Sequence, residues 1–162
     1  MTLELKPRST PIALGDEAPA FTLTDDARNE WSLADALTKG DVVLCFFPFA
    51  FTSVCASEME CVTNDLDKWA GSDVTVVGVS CDSFASLAAW REQLGLKQTL
   101  LSDIHRSVCK AFGLYWDDLN VSKRGTVVIG KDSGGTPRVR WIQAREPGDA
   151  MDFDAVLTAA KG

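Results

Sequence analysis

Continuous apolar runs alternate along the chain with segments in which apolar residues recur at helical spacing. Residues 42–47 form an apolar run typical of a central strand, and residues 74–80 (VTVVGVS) form a second one. Between them, after a break at Pro48, helical spacing extends from Ser53 to about residue 69. This alternation of strands and helices predicts an α/β domain.

Shorter patterns predict further elements, and capping residues mark several of their ends. A Ser or Asp before a helix accepts its free N–H groups, and a Gly after it adopts the left-handed conformation. The predicted elements are a strand at Ala20–Thr24, a helical turn stopped by Gly40, a helix between Ser83 and Gly95, a short strand at Thr99–Leu101, and a helix between Asp103 and Gly113.

The last third of the chain predicts a hairpin and a closing helix. Residues 125–130 and 136–143 flank the turn sequence KDSGG, which indicates an antiparallel hairpin, and residues 152–160 have helical spacing. A βαβ core, a hairpin and a C-terminal helix follow the element order of a thioredoxin-like fold. We therefore expect one domain over residues 1–162, with an N-terminal extension and a central mixed β-sheet flanked by helices.

The acidic charge balance narrows the range of partners. The net charge is −7 and no dense Lys/Arg run occurs, so neither nucleic acid nor a membrane is expected as a partner. The N-terminal segment lacks the apolar core of a signal peptide, and the most apolar run, residues 42–51, is too short to span a membrane. The expected location is the cytoplasm, where thiols stay reduced.

Five cysteines are the main candidates for chemistry. No C-x-x-C pair occurs and the only histidine is His105, which disfavours both a structural zinc site and a thioredoxin-type dithiol. An odd number of thiols in a reducing compartment also argues against a permanent disulfide framework. No metal or other cofactor is expected. The cysteines are Cys45, Cys55, Cys61, Cys81 and Cys109.

Cys55 stands out because it falls in the first turn of a predicted helix. Free N–H groups and the positive end of the helix dipole favour an anion there, so a thiol at this place ionises readily. Ionisation alone raises the rate of a thiol only about tenfold, because nucleophilicity falls as acidity rises. A fast catalyst also needs donors directed at the charge that develops during reaction. Thr52 and an arginine are the candidates.

Pro48, Thr52 and Cys55 form the pattern P-x-x-x-T-x-x-C after an apolar strand, Glu58 follows three residues later, and Arg124 precedes a strand in KRGTVVIG. This combination resembles the peroxiredoxins, thiol peroxidases with a thioredoxin-like fold, and in particular their alkyl hydroperoxide reductase E and bacterioferritin comigratory protein subgroups. The resemblance implies reduction of hydrogen peroxide and organic hydroperoxides through a sulfenic acid at Cys55.

The resemblance also implies a role for each motif residue. Thr52 would hold the peroxide in line, Arg124 would stabilise the thiolate and the charge on the O–O bond, Pro48 would shield the sulfenate, and Glu58 would orient the arginine. Each residue also has a purely structural interpretation: Cys55 as an inert thiol, Thr52 as an N-cap, Pro48 as a strand end, Arg124 as a surface charge, and Glu58 as a partner of the helix dipole. Two rival functions are a binding protein switched by oxidation of Cys55 and a scaffold with no redox role.

The sequence leaves three candidates for the thiol that resolves the sulfenic acid. Cys61 is the first candidate, although six helical residues rise about 9 Å, so a disulfide with Cys55 requires the helix to unwind. Cys81, after a core strand, is the second candidate. The third route is a one-cysteine enzyme reduced by an external thioredoxin-like or low-molecular-weight thiol. Aromatic residues near Phe49 and Phe51 suggest a pocket or the face of a homodimer.

Overall fold

A computed structural model of the protein describes residues 5–64 and 73–145, apart from the side chains of Glu58 and Arg145. Nine strands lie within these ranges: β1 (Thr22–Asp25), β2 (Glu30–Ser32), β3 (Val42–Phe46), β4 (Thr75–Ser80), β5 (Thr99–Ser102), β6 (Tyr115–Trp116), β7 (Val121–Ser122), β8 (Arg124–Lys131) and β9 (Pro137–Arg145). Four helices lie within the same ranges: α1 (Leu33–Leu37), α2 (Ser53–Asn64), α3 (Phe84–Leu94) and α4 (Ser107–Ala111).

Seven strands form one mixed sheet, in the order β2-β1-β5-β4-β3-β8-β9. The three strands at its centre, β5, β4 and β3, are parallel, and β8 and β9 continue the sheet as antiparallel neighbours. Every residue of β3 is buried, as a strand covered on both faces requires. The predicted mixed sheet flanked by helices is confirmed.

The two faces of the sheet carry two separate apolar clusters. Alternate side chains of β3 point to opposite faces, so Leu44 and Phe46 belong to one cluster and Val43 and Cys45 to the other. Helices α1 and α4 supply residues to the first cluster, and α2 and α3 supply residues to the second. The N-terminal extension lies against the first cluster, where Ile12 is buried.

Local capping signals locate α3 and the hairpin. Ser83 is the N-cap of α3, where its hydroxyl accepts the backbone N–H of Ser86, and Gly95 follows the helix with a left-handed φ of 66°. The β8–β9 hairpin is antiparallel, as predicted, with Val128 opposite Trp141. Both predictions are confirmed.

The helix predicted after Asp103 begins later than expected. Arg106, with a left-handed φ of 62°, is the N-cap, and α4 starts at Ser107. Asp103 still caps the helix, since its carboxylate accepts hydrogen bonds from the backbone N–H groups of Val108 and Cys109. A turn between residues 103 and 106 separates the capping side chain from the helix, and the sequence did not reveal it.

Three short strands were not predicted: β2, and the ribbon formed by β6 and β7. Two or three residues are too few for a periodicity to appear in the sequence. The predicted continuation of α2 to residue 69 and the predicted helix at residues 152–160 lie outside the described residues. Within the described part of the chain, no helix has the length and apolar character needed to cross a membrane.

Candidate active site

Cys55 is held in the first turn of α2 by the loop that leaves β3. The chain extends past the end of β3, passes through Phe51 with a left-handed φ of 65°, and enters the helix at Ser53. The backbone N–H of Ala50 donates to the Asp82 carboxylate at 2.9 Å, which ties this loop to the end of β4. The loop between β3 and the N-terminus of α2 is therefore held against the end of β4, and this contact positions Cys55 in the first turn of the helix.

Arg124 contacts the sulfur of Cys55 directly. It is the first residue of β8, and its neighbour Gly125 pairs with Phe46 at the end of β3, which brings the arginine beside the helix entrance. Its Nη2 lies 2.9 Å from the Cys55 Sγ, and the arginine is only 2% exposed. A guanidinium in hydrogen-bonding contact with sulfur stabilises a thiolate over a thiol.

Both groups face a cavity of about 230 Å³, which we call the active-site hollow. Pro48 and Thr52 also line it, so four of the five predicted catalytic residues meet at one place. A second cavity of about 500 Å³, lined in part by Arg28 and His105, has no thiol among its described lining residues. Of these two cavities, the smaller one is therefore the cavity in which a thiol can meet a ligand.

Thr52 is oriented by its own loop. Its carbonyl accepts the N–H of Ala56 at 2.9 Å, as that of a residue capping α2 does, and its hydroxyl donates to the carbonyl of Phe49 at 2.8 Å. A hydroxyl carries one hydrogen and two lone pairs. Because the hydrogen is used by Phe49, the oxygen retains acceptor capacity for a ligand in the hollow.

The two cysteines predicted as resolving candidates, Cys61 and Cys81, are not among the described residues that line the hollow. The side chain of Glu58 lies outside the described part of the structure. Cys61 is half-buried and lies six residues after Cys55 in the same continuous helix. Cys81 is buried in the apolar cluster on the opposite face of the sheet from Cys55, with its Sγ 3.9 Å from that of Cys109.

Apolar side chains complete the hollow, and the sequence reasoning had named only Phe49 among them as a pocket residue. Phe49 and Val54 come from the loop and helix of Cys55, whereas Trp116 and Leu119 come from the β6–β7 ribbon that precedes Arg124. We call these four residues the apolar wall. Closeness in sequence to Arg124 was the available signal for Trp116 and Leu119, since consecutive parts of a chain are usually adjacent in space.

Several known proteins are similar to this chain over most of its length. The model of the AhpC/TSA family matches residues 14–134. Alkyl hydroperoxide reductase E of Mycobacterium tuberculosis is 30% identical over 143 residues, which cover 87% of this chain and 91% of that protein. A putative peroxiredoxin of M. tuberculosis is 35% identical over 131 residues, 77% of this chain and 83% of the relative.

Solved structures show the same fold. Peroxidoxin BcpB from M. tuberculosis superposes with a TM-score of 0.80 at 27% identity, covering 91% of this chain and 96% of that one. The reduced 2-Cys peroxiredoxin of Plasmodium vivax superposes with a TM-score of 0.79 at 31% identity, covering 91% and 79%. The thioredoxin-like fold predicted from the element order is thereby confirmed. The chain belongs to the AhpC/TSA family and is a peroxiredoxin, a thiol-dependent peroxidase that couples a peroxide substrate to a thiol reductant.

Proposed function

We propose that Cys55 is the cysteine that reacts with peroxide. The observation that supports this assignment is the 2.9 Å contact between the Arg124 Nη2 and the Cys55 Sγ beside the active-site hollow. In the reaction, the thiolate attacks one peroxide oxygen, an S–O bond forms and the O–O bond breaks. The leaving oxygen takes a proton and departs as water or an alcohol, and Cys55 becomes a sulfenic acid.

The surrounding residues take complementary roles in the same proposal. Arg124 presents a planar fork of donors, which suits charge spread over sulfur and two oxygens. The acceptor lone pairs of Thr52 receive the hydrogen of the peroxide and hold it in line. Pro48 limits the access of water and further oxidant to the sulfenate. Glu58 is assigned, from the motif alone, to orient the arginine.

The apolar wall supports organic hydroperoxides as substrates beside hydrogen peroxide. Trp116 and Leu119 offer contact for the carbon chain of a hydroperoxide, whereas hydrogen peroxide has no group to fill that space. Burial of each methylene contributes about 0.8 kcal/mol, so an alkyl chain of moderate size gains a measurable advantage in binding.

Cys61 is our first candidate for resolving the sulfenic acid. Its thiol would attack the sulfur of Cys55, forming an S–S bond and releasing water. Both residues lie in the continuous helix α2, so the first turns must unwind before the sulfurs can meet. The second route is direct reduction by an external thioredoxin-like or low-molecular-weight thiol. Cys81 is a weaker candidate because its sulfur faces the other cluster.

Assembly, location and domain organisation extend the proposal. Phe49 is 36% exposed and Phe51 is 54% exposed near the site, which supports a homodimer built on this surface. Five free thiols suit a reducing compartment such as the cytoplasm. A single domain over residues 1–162 remains our prediction.

Rapid mixing with peroxide tests the assignment of Cys55. Cys55→Ser should abolish fast sulfenate formation and peroxide turnover, whereas the matched variant Cys61→Ser should retain the sulfenate step. Fast oxidation that persists in Cys55→Ser would contradict the proposal.

Mass spectrometry after one equivalent of peroxide distinguishes the two resolving routes. Glu58 and Glu60 lie between the two cysteines, so cleavage after glutamate separates them. Linked Cys55 and Cys61 peptides would support the internal disulfide, and a persistent sulfenic or sulfinic product at Cys55 would support the external thiol.

A further inference from the structure

A second group of thiols lies on the opposite face of the sheet from Cys55. Cys81 directly follows β4, and Cys109 lies in α4. Their sulfurs are 3.9 Å apart, and the two residues are 6% and 0% exposed. We call Cys81 and Cys109 the buried thiol pair. Cys109 has no role in the peroxidase reaction proposed above, and Cys81 is only the weakest of its resolving candidates.

Hydrogen bonds position one member of the pair. The Asp103 carboxylate accepts the backbone N–H groups of Val108 at 3.1 Å and Cys109 at 2.7 Å. The Cys109 Sγ also lies 3.4 Å from the carbonyl oxygen of Arg106, in donor geometry. The pair is therefore set by strand β4 on one side and by the anchored first turns of α4 on the other.

The two thiols differ in acidity because they share a hydrogen bond. The hydrogen bond with Cys109 lowers the pKa of the Cys81 thiol, against burial and the nearby Asp103 carboxylate, which raise it. The same hydrogen bond, together with burial, raises the pKa of Cys109 far above its usual range. Cys81 is also the more exposed member of the pair, so it is the one that a peroxide meets first.

We propose that Cys81 and Cys109 form a second redox site, a dithiol that peroxide converts into an intramolecular disulfide. In the first step, the Cys81 sulfur attacks the peroxide, an S–O bond forms, the O–O bond breaks, and an alcohol or water leaves with the proton. In the second step, Cys109 attacks the Cys81 sulfenic acid, the S–S bond forms, the S–O bond breaks, and water leaves. The two thiols together supply the two electrons that the peroxide accepts.

The required movement is small and falls on a short element. A disulfide brings its sulfurs to about 2.05 Å, so the two sulfurs must approach by roughly 2 Å. Helix α4 has five residues and begins after Arg106, whose left-handed φ of 62° is unfavourable for a side chain of that size. Strand β4 has neighbours on both sides in the sheet, whereas α4 is a single short helix, so we assign the approach to α4 and the Cys109 side chain.

The same atoms are less well suited to a metal ion. One donor atom from each of Cys81, Asp103 and Cys109 lies within 4.8 Å of the others, which makes three potential ligands. Structural zinc takes four ligands, and the described residues supply no fourth. Both carboxylate oxygens of Asp103 already accept backbone N–H groups. These contacts favour a disulfide over a metal centre.

The test uses the full chain carrying Cys55→Ser, so that it is independent of the reaction proposed for Cys55. The reduced variant is treated with excess hydrogen peroxide or tert-butyl hydroperoxide, denatured, and alkylated with N-ethylmaleimide. The number of alkylated thiols should fall from four to two. The protein itself should lose the mass of two hydrogens, as formation of one disulfide requires. Trypsin isolates Cys109 in residues 107–110 and Cys81 in residues 69–91, so the disulfide should appear as a crosslink between these peptides.

Matched variants and controls decide the assignment. Cys45→Ser in the same background alters a buried thiol of the other cluster and should leave the crosslink intact, whereas Cys109→Ser should remove it and leave sulfenic or sulfinic acid at Cys81. Four alkylatable thiols after excess peroxide, or a crosslink between other cysteines, would overturn the proposal. So would zinc retained by the reduced protein in native mass spectrometry and lost with Cys81→Ser. Because the parent variant keeps both thiols, poor folding of Cys109→Ser does not affect the main result.

Discussion

The two thiol sites of this protein lie on opposite faces of one sheet and have opposite electrostatic surroundings. Cys55 has a guanidinium at 2.9 Å and lines the active-site hollow. The buried thiol pair has a carboxylate beside it and a hydrogen bond between its own sulfurs. Residue exposure does not separate the sites, since Cys55 is 1% exposed and the members of the pair are 6% and 0% exposed. The charge next to the sulfur and the shape of the space in front of it separate the two sites better than burial does.

The largest expected effect comes from removing the cation that distinguishes the first site. Arg124→Ala should lower the second-order rate constant for sulfenate formation about 10²- to 10³-fold, the usual cost of losing a donor aimed at transition-state charge. The rate constant of Arg124→Lys should lie between those of the parent and Arg124→Ala, because an ammonium group restores the charge without the planar fork of donors. Stopped-flow fluorescence, with thermal unfolding to verify folding, gives the measurement.

A surface arginine provides the control for that experiment. Arg140 lies on β9, where it is exposed and pairs with Asp41 at 3.4 Å. Arg140→Ala should leave the rate of oxidation unchanged, since the variant loses the same charge at a distance from the hollow. A rate for Arg124→Ala within tenfold of the parent would mean that thiolate formation alone accounts for the reactivity of Cys55.

Thr52 offers a smaller and more specific change at the same site. Thr52→Val keeps the branched shape and removes the hydroxyl, which should lower the rate roughly 10- to 100-fold because one hydrogen bond to the reacting peroxide is lost. Thr52→Ser keeps the hydroxyl and should recover most of the rate. Equal rates for Val and Ser would assign Thr52 to capping α2 alone.

The sequence predicted the first site far better than the second. Cys55, Thr52 and Pro48 lie within eight residues, so a local motif contains most of that geometry, and Arg124 was found through its place before a strand. The buried thiol pair joins residues 28 positions apart, and only the packing of α4 on the sheet brings them together. The contact of Cys109 with Cys81 has no signal in a single sequence.

Local signals explain which parts of the fold could be predicted. The ends of α3 were found because Ser83 and Gly95 act through bonds and dihedral angles within a few residues. The pairing of β1 with β5 could not be found in this way, because Thr24 and Ser102 are separated by nearly half of the chain. Asp103 shows the intermediate case, in which the capping chemistry was right and the helix start was wrong.

Asp82 lies between the two sites and should show a moderate effect. It follows Cys81 in the chain, and its carboxylate accepts the backbone N–H of Ala50 in the loop that leads to Cys55. Asp82→Ala should lower the rate of oxidation of Cys55 about tenfold, because the loop loses one hydrogen bond that positions it. Asp82→Asn keeps an acceptor oxygen and should restore the rate. Loss of stability without a change in rate would show that Asp82 has no positioning role.

The smallest effect concerns stability at the second site and depends on pH. Burial raises the pKa of Asp103 above its ordinary value of 3.8, although the N–H groups of Val108 and Cys109 and the charge of Arg106 act in the opposite direction. As pH rises through the window between 3.8 and the raised value, the unfolded chain loses its proton first. The folded protein then binds more protons than the unfolded one, so the free energy of unfolding falls across this window and stays lower above it.

An asparagine cannot ionise, so the free energy of unfolding of Asp103→Asn should not fall across this window because of residue 103. Loss of the acceptor oxygen lowers the stability of the variant by an amount that does not depend on pH. Urea unfolding of the reduced protein at several pH values between about 3.5 and 6.5 gives the difference between parent and variant. Two other carboxyl groups with shifted pKa values are Asp41, whose pKa is raised by burial, and the exposed Asp132, whose pKa is lowered by its hydrogen bonds. Both are present in parent and variant, so their contributions cancel when the two free energies of unfolding are subtracted. Parallel curves would mean that Asp103 is no harder to ionise in the fold than in the unfolded chain. The carboxylate would then no longer distinguish the surroundings of the buried thiol pair from those of Cys55.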